Sequence, residues 1–200
     1  ECPAPMFEAF TARLPFNLTG AQTRVVNEIF HDLRQASPAL RLIQGDVGAG
    51  KTVVAALAAL AAMASGTQVA LMAPTELLAE QHLRNFEGWL NPLGIDIAWL
   101  SGRVKGKARN ETLETIATGR AKMVVGTHAL FQEGVEFDAL ALAIVDEQHR
   151  FGVHQRLALT EKRRDGSLPH QLVLTATPIP RTLSMVAYAD LDCSIIDELP

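Results

Sequence analysis

Six short apolar runs recur along this 200-residue chain, and they restrict its fold more than any other feature. They are "LRLIQ" (40–44), "QVALMAP" (68–74), "IDIAWLS" (95–101), "KMVVGT" (122–127), "LALAIVDE" (140–147) and "QLVLTAT" (171–177). Runs of this length and composition suit strands covered on both faces, and helix-like segments lie between them. Strand and helix in alternation imply an α/β fold of three layers, a mostly parallel sheet with helices on both faces. Ligands in such folds gather at the carboxyl ends of the strands.

The helical segments carry their own punctuation. Thr75 is placed to cap "ELLAEQHLRNFEGWL", with Glu76 in the positively poled first turn. "ARNETLETIATG" stops at Gly119, a residue suited to a left-handed helix end. The longest apolar run, residues 53–64, is too short to cross a bilayer and reads as a helix packed on two sides. Residues 1–39 contain no comparable strand. "LPFNLTGAQTRVVNEIFHDL" reads as an extended piece followed by an amphipathic helix with Val25, Ile29, Phe30 and Leu33 on one face.

One strand-to-helix junction has a specific chemistry. "GDVGAGKT" comprises Gly45, Asp46, Val47, Gly48, Ala49, Gly50, Lys51 and Thr52. Its glycines let the backbone turn so that several N–H groups converge on phosphate oxygens, and the following helix adds the positive end of its dipole. Lys51 is suited to the β- and γ-phosphates, and the Thr52 hydroxyl to Mg²⁺. Binding alone is not hydrolysis. The run "LALAIVDEQHR" brings Asp146 and Glu147 to a strand end, where Asp146 can hold the Mg²⁺ shell and Glu147 can act as general base on water. Lys51, Asp146 and Glu147 are thus the candidate catalytic residues, and a nucleoside triphosphate with Mg²⁺ the expected ligand pair.

The net charge of −4 argues against a generally basic nucleic-acid binder, yet the charge is unevenly spread. Residues 101–122 hold six basic side chains (Arg103, Lys105, Lys107, Arg109, Arg120, Lys122) against Glu111 and Glu114. This leaves the rest of the chain acidic and suggests one phosphate-contacting edge. Cys2 and Cys193 are isolated and make no metal-ligand pattern, which suits a reducing compartment. The start, "ECPAPMFEAF", lacks both an initiator methionine and a secretion pattern, so a piece of a longer cytoplasmic protein is expected. Trp89, Trp99 and Phe151 lie beside apolar periodic segments and read as core or interface aromatics.

Taken together, these motifs resemble the first motor domain of superfamily 2 helicases. "GDVGAGKT" matches motif I, "APTELLAEQH" motif Ia, "DEQH" motif II and "TATPIPRT" motif III. Longer stretches ("LTGAQ", "GTHALFQ", "DEQHRFGVHQR", "TATPIPRTLSMVAYADLD" and "IIDELP") are similar to the RecG family of bacterial branch-migrating DNA helicases, from about residue 14 to residue 200. Transcription-repair coupling translocases share "TATPIPRT" but differ where this chain reads "DEQHRFGVHQR" and "AYADLD", and they form the alternative. A non-catalytic nucleotide-binding module is the other.

The resemblance implies a RecA-like P-loop lobe over residues 40–200, preceded by a lead-in over 1–39 that holds a Q-motif-like segment. Gln22 would read adenine, with Phe16 or Leu18 near the base. Gln148 and His149 would couple motif II to Thr175 and Thr177. DNA contacts would come from Pro74, Thr75 and Glu76, from Ser101, Gly102 and Arg103, and from Gly126, Thr127 and His128. The expected partners are branched or forked DNA, with no membrane, and a second motor lobe and a wedge domain of the same chain outside these residues. The second lobe would supply an arginine finger, so the 200 residues alone are expected to hydrolyse ATP negligibly.

Overall fold

The computed structural model describes residues 4–46, 50–146, 167–176 and 191–197. Two helices open the chain, α1 (Ala4–Thr11) and α2 (Gly20–Leu33). Strands and helices then alternate as β1 (Leu40–Gly45), α3 (Lys51–Ala64), β2 (Gln68–Met72), α4 (Glu76–Leu90), β3 (Ile97–Leu100), α5 (Gly106–Ala117) and β4 (Met123–Gly126). After these come β5 (Leu140–Asp146), β6 (His170–Thr175) and β7 (Leu191–Ile196). The seven strands form one sheet in the order β3-β4-β2-β5-β6-β1-β7, and every pairing is parallel. All six expected strands are present. The α/β expectation holds, with a sheet that is parallel throughout its described strands.

Side chains alternate across this sheet and divide the core in two. Val69, Leu71, Val125 and Ile144 face a cluster shared with α2, α3 and the Phe86 end of α4. Their neighbours Ala70, Met72, Val124, Ala143 and Val145 join Ile116 of α5 with Leu130 and Phe137 on the other face. Helix α3 explains its own composition. It packs against α2 on one side and against β1, β2 and β5 on the other, and every residue from Val53 to Met63 is buried. Alanine suits such a site, because it lets helix and sheet approach closely at no side-chain entropy cost.

Helix starts follow local rules. Thr19 accepts from the Gln22 N–H (3.2 Å) while the Thr19 N–H donates to Gln22 Oε1 (2.9 Å), a capping box that opens α2. Thr75 Oγ1 accepts from the Leu78 N–H (3.3 Å) and caps α4, as expected. Gly119 follows the end of α5 with φ +74°.

Two elements escaped the sequence reading. Helix α1 is short, and Phe10 seats it against Trp89 at a ring separation of 5.9 Å, which also makes Trp89 a core aromatic. Strand β7 hides in "LDCSII" because it is an edge strand whose only buried described side chains are Ser194 and Ile196. The lead-in is no appendage, since Phe10, Val25 and Ile29 share one core with α3 and the sheet.

Gly126 closes β4 where the backbone approaches β3. A Cβ there would lie 1.9 Å from the Leu100 carbonyl oxygen and 2.9 Å from its carbon. Main chain cannot move aside as a side-chain tip can, so Gly126→Ala is expected to cost about 2–3 kcal/mol. That corresponds to a melting temperature lower by roughly 5–10 °C, measurable by calorimetry.

Candidate nucleotide site and carboxyl-edge loops

Because the strands are parallel, their carboxyl ends share one edge of the sheet. Gly45, Met72, Leu100, Gly126, Asp146 and Thr175 end β1 to β6 there. Strand β6 lies between β1 and β5, with Gln44 opposite Thr175 and Asp146 opposite Leu174. Residues from three distant motifs therefore sit on three neighbouring strands.

Gly50 adopts φ +80° at the N-terminus of α3, and a Cβ there would lie 2.0 Å from Gln22 Nε2. The left-handed backbone calls for glycine, and a larger residue would also push the Gln22 amide aside. Lys51 Nζ donates to the carbonyls of Gly45 (2.5 Å) and Asp46 (3.0 Å). Burial pushes its ammonium below the ordinary lysine value, and the charges of Asp146 and Asp46 oppose that shift. Thr52 follows in the first turn, half-buried. An ammonium, a helix N-terminus, a hydroxyl and a carboxylate on one strand edge form a donor set that fits a triphosphate with a hard divalent cation.

Asp146 has a partner that sequence reading missed. His82 of α4 lies with Nε2 2.5 Å from Asp146 Oδ2. A carboxylate only accepts, so Nε2 carries the proton in this bond. His82 is 6% exposed, and its Nδ1 is buried with no partner among the described residues. The available signal was periodicity. Ala79, His82, Phe86 and Leu90 make the buried stripe of α4, and a histidine within an apolar stripe calls for a polar partner.

Gln22 is fully buried, not an exposed residue at a helix start. Its carbonyl oxygen is occupied by the Thr19 N–H and its amide nitrogen lies beside Gly50, which ties α2 to the phosphate loop.

The other carboxyl-edge residues divide by exposure. Thr75, Gly102, Arg103 and His128 are exposed, while Pro74, Glu76 and Thr127 are half-buried. Arg103 Nε pairs with Glu76 Oε2 at 2.6 Å and joins the loops after β2 and β3. Ser101 and Gly126 are buried in the turns. Ser101 Oγ accepts from the Arg103 N–H (3.3 Å), and Gly126 makes the close approach to β3. The basic run also divides, against the expectation of one edge. Arg103 follows β3 on the carboxyl edge, whereas Lys122 precedes β4 on the opposite edge and donates to the Gly66 carbonyl (3.1 Å). Helix α5 carries the chain between the two edges, so charges close in sequence end far apart. Val47, Gly48, Ala49, Glu147, Gln148, His149, Phe151 and Thr177 lie outside the described residues.

Comparison with known proteins bears on the same edge. Residues 19–186 match the sequence profile of the DEAD/DEAH box helicases. The chain is 67% identical over 190 residues to the ATP-dependent DNA helicase RecG of Escherichia coli, covering 94% of this chain and 27% of that protein. It is 66% identical over 194 residues to RecG of Haemophilus influenzae, covering 96% and 28% respectively. Among solved structures it is similar to RecG bound to a three-way DNA junction, with a TM-score of 0.86 and 40% identity, over all of this chain and 26% of that one. The chain thus spans little more than a quarter of these relatives. A match running from the Thr19 cap through the phosphate loop, Asp146 and Thr175 takes in the whole described site, and the chain belongs to the DEAD/DEAH box helicase family.

Proposed function

We propose that this chain is the nucleotide-binding motor lobe of an ATP-dependent DNA helicase that translocates on branched or forked DNA. The observation that carries the reading is the convergence of Lys51, Thr52, Asp146 and Thr175 on one sheet edge, from segments spread over more than a hundred residues. In this reading Lys51 leaves the carbonyls of Gly45 and Asp46 for the β- and γ-phosphates. That exchange replaces two neutral acceptors with anionic oxygens and restores the charge that burial disfavours. Backbone N–H groups of residues 45–52 cradle the same phosphates. Thr52 and Asp146 hold Mg²⁺, which when bound neutralises the charge that develops on the transferred phosphoryl group. Glu147 orients water and takes its proton. Gln22 reads the adenine edge, which requires its carbonyl oxygen to leave the Thr19 N–H.

The DNA track follows the carboxyl edge through Pro74, Thr75, Gly102, Arg103, Thr127 and His128. Contacts of this kind address phosphate and carry no sequence preference. Gln148, His149, Thr175 and Thr177 are proposed to transmit nucleotide state to that track. A second motor lobe and a wedge domain in the same polypeptide, and a cytoplasmic setting, complete the proposal; relatives of which this chain covers little more than a quarter leave room for both domains.

Two measurements test the reading. The 200 residues alone are expected to bind Mg-ATP weakly and to turn it over at least about 10³-fold more slowly than the full-length protein with junction DNA, for want of an arginine finger. In the full-length protein, Glu147→Gln is expected to retain ATP binding and lose hydrolysis. Strong DNA-stimulated turnover by the 200 residues would overturn the two-lobe arrangement, and turnover surviving in the glutamine variant would remove Glu147 as the base.

A further inference from the structure

His82 belongs to neither the phosphate loop nor motif II, yet it makes the one bond to the Asp146 side chain seen among the described residues. We propose that His82 is a positioning residue for the metal site. It holds Asp146 Oδ2 through its Nε2–H and so presents Oδ1 to the divalent cation of the bound nucleotide. The inference rests on the assignment of Asp146 as a Mg²⁺ ligand.

Three observations carry it. At 2.5 Å, with the His82 side chain 8% and the Asp146 side chain 22% exposed, the bond is short and shielded enough to restrain the carboxylate rotamer. The ring packs edge-on to Phe86 at a centroid distance of 6.4 Å within the buried stripe of α4, which restricts its rotation. His82 Nδ1 has no hydrogen-bond partner among the described residues, so within them this buried imidazole is compensated at Nε2. An apolar residue would fill the same place in the stripe without leaving a buried nitrogen unpartnered. A histidine there is accounted for by what its Nε2 does to Asp146. Carboxylates that bind metals are generally held by such outer hydrogen bonds, and losing one typically weakens metal binding by roughly 10- to 100-fold.

The helix that supplies His82 starts at the carboxyl edge, where Thr75 caps it and Glu76 pairs with Arg103. One rigid element thus joins the loop proposed to meet DNA to the carboxylate proposed to meet Mg²⁺.

The test is Mg²⁺-dependent binding of a fluorescent ATP analogue to the full-length protein, with no turnover required. His82→Leu is expected to raise the half-saturating Mg²⁺ concentration at least roughly tenfold. Nucleotide binding in EDTA is expected to stay within about twofold of wild type, since the phosphate loop is untouched. His82→Gln, whose amide nitrogen can reach the position of Nε2, is expected to recover most of the loss. Circular dichroism checks folding, and His82→Asn, whose amide is too short to reach Asp146, replaces the leucine variant if that one does not fold. Mg²⁺ affinity within twofold of wild type in a folded leucine or asparagine variant overturns the role of His82, as does glutamine failing to recover it. Wild-type binding that is indifferent to Mg²⁺ instead overturns the assignment of Asp146.

Discussion

Lys51→Ala is expected to lower ATP turnover by the full-length protein roughly 10²- to 10³-fold while leaving the fold intact. The activity half follows from position. Lys51 is the first residue of α3, within reach of the loop that ends β1, and no other described lysine lies between Gly45 and Thr52. Removing one pre-placed charge from a phosphate clamp costs on the order of 3–4 kcal/mol in the transition state, which is the fold-change stated. The stability half follows from what Lys51 does without nucleotide. Among the described residues its ammonium donates to two carbonyls, and burial outweighs the attraction of Asp146 and Asp46, so alanine removes a charge whose burial was already unfavourable. Unfolding midpoints of mutant and parent should agree within about 0.5 kcal/mol. Lys51→Arg should fail too, because a planar fork does not replace a compact ammonium at this depth. A large loss of stability in the alanine variant would mean that the lysine braces the loop instead of serving the nucleotide.

The second large effect is structural and lies on the opposite flank of β1. Arg41 donates to both Asp32 oxygens (2.5 and 3.1 Å), to Ser194 Oγ (2.8 Å) and to Glu28 Oε2 (3.4 Å), and Ser194 in turn bonds Glu28. Burial opposes the Arg41 charge, but the hydrogen bond to Asp32 and the charges of Asp32, Asp192 and Glu28 outweigh it and hold the guanidinium above its ordinary value. Side-chain exposure is 11% for Arg41 and 12% for Asp32, so Arg41→Ala leaves a buried carboxylate without its cation. The expected loss is about 3–5 kcal/mol, measurable as a shift in the denaturant midpoint. Arg41→Lys should recover less than half, since it cannot make the two-oxygen contact. The double change Arg41→Met with Asp32→Leu should lie closer to wild type than Arg41→Ala does, because the buried carboxylate goes with its cation and the carboxylates that remain, Glu28 and Asp192, reach solvent. If the double variant is as unstable as the single one, the network acts by packing and not by charge pairing.

The candidate nucleotide site was legible early because its signals are local. Eight consecutive residues specify a phosphate loop, and the apolar run ahead of Asp146 announces a strand ending in a carboxylate. The strands around them were equally readable, since burial on both faces leaves an unbroken apolar record. Thr75 and Gly119 were readable as helix ends because caps act within one turn.

What stayed hidden depends on partners distant in sequence. Ser194 is buried in an edge strand because Arg41, far earlier in the chain, turns a polar residue into a satisfied one. Gly126 is glycine because β3 passes against it, a packing requirement that its place in a candidate DNA-contact stretch did not reveal. Six basic residues that read as one patch divide between two edges because α5 runs between them. His82 meets Asp146 across sixty-four positions through the folding of α4 onto the sheet. Sequence by itself therefore determined the α/β class, the strand-to-helix junction that carries Lys51 and the carboxylate at the end of β5, all of which are set by short-range geometry and solubility. Only the tertiary structure decided which side chain holds that carboxylate and which polar residues at the carboxyl edge remain in water, because those depend on the order in which the strands assemble.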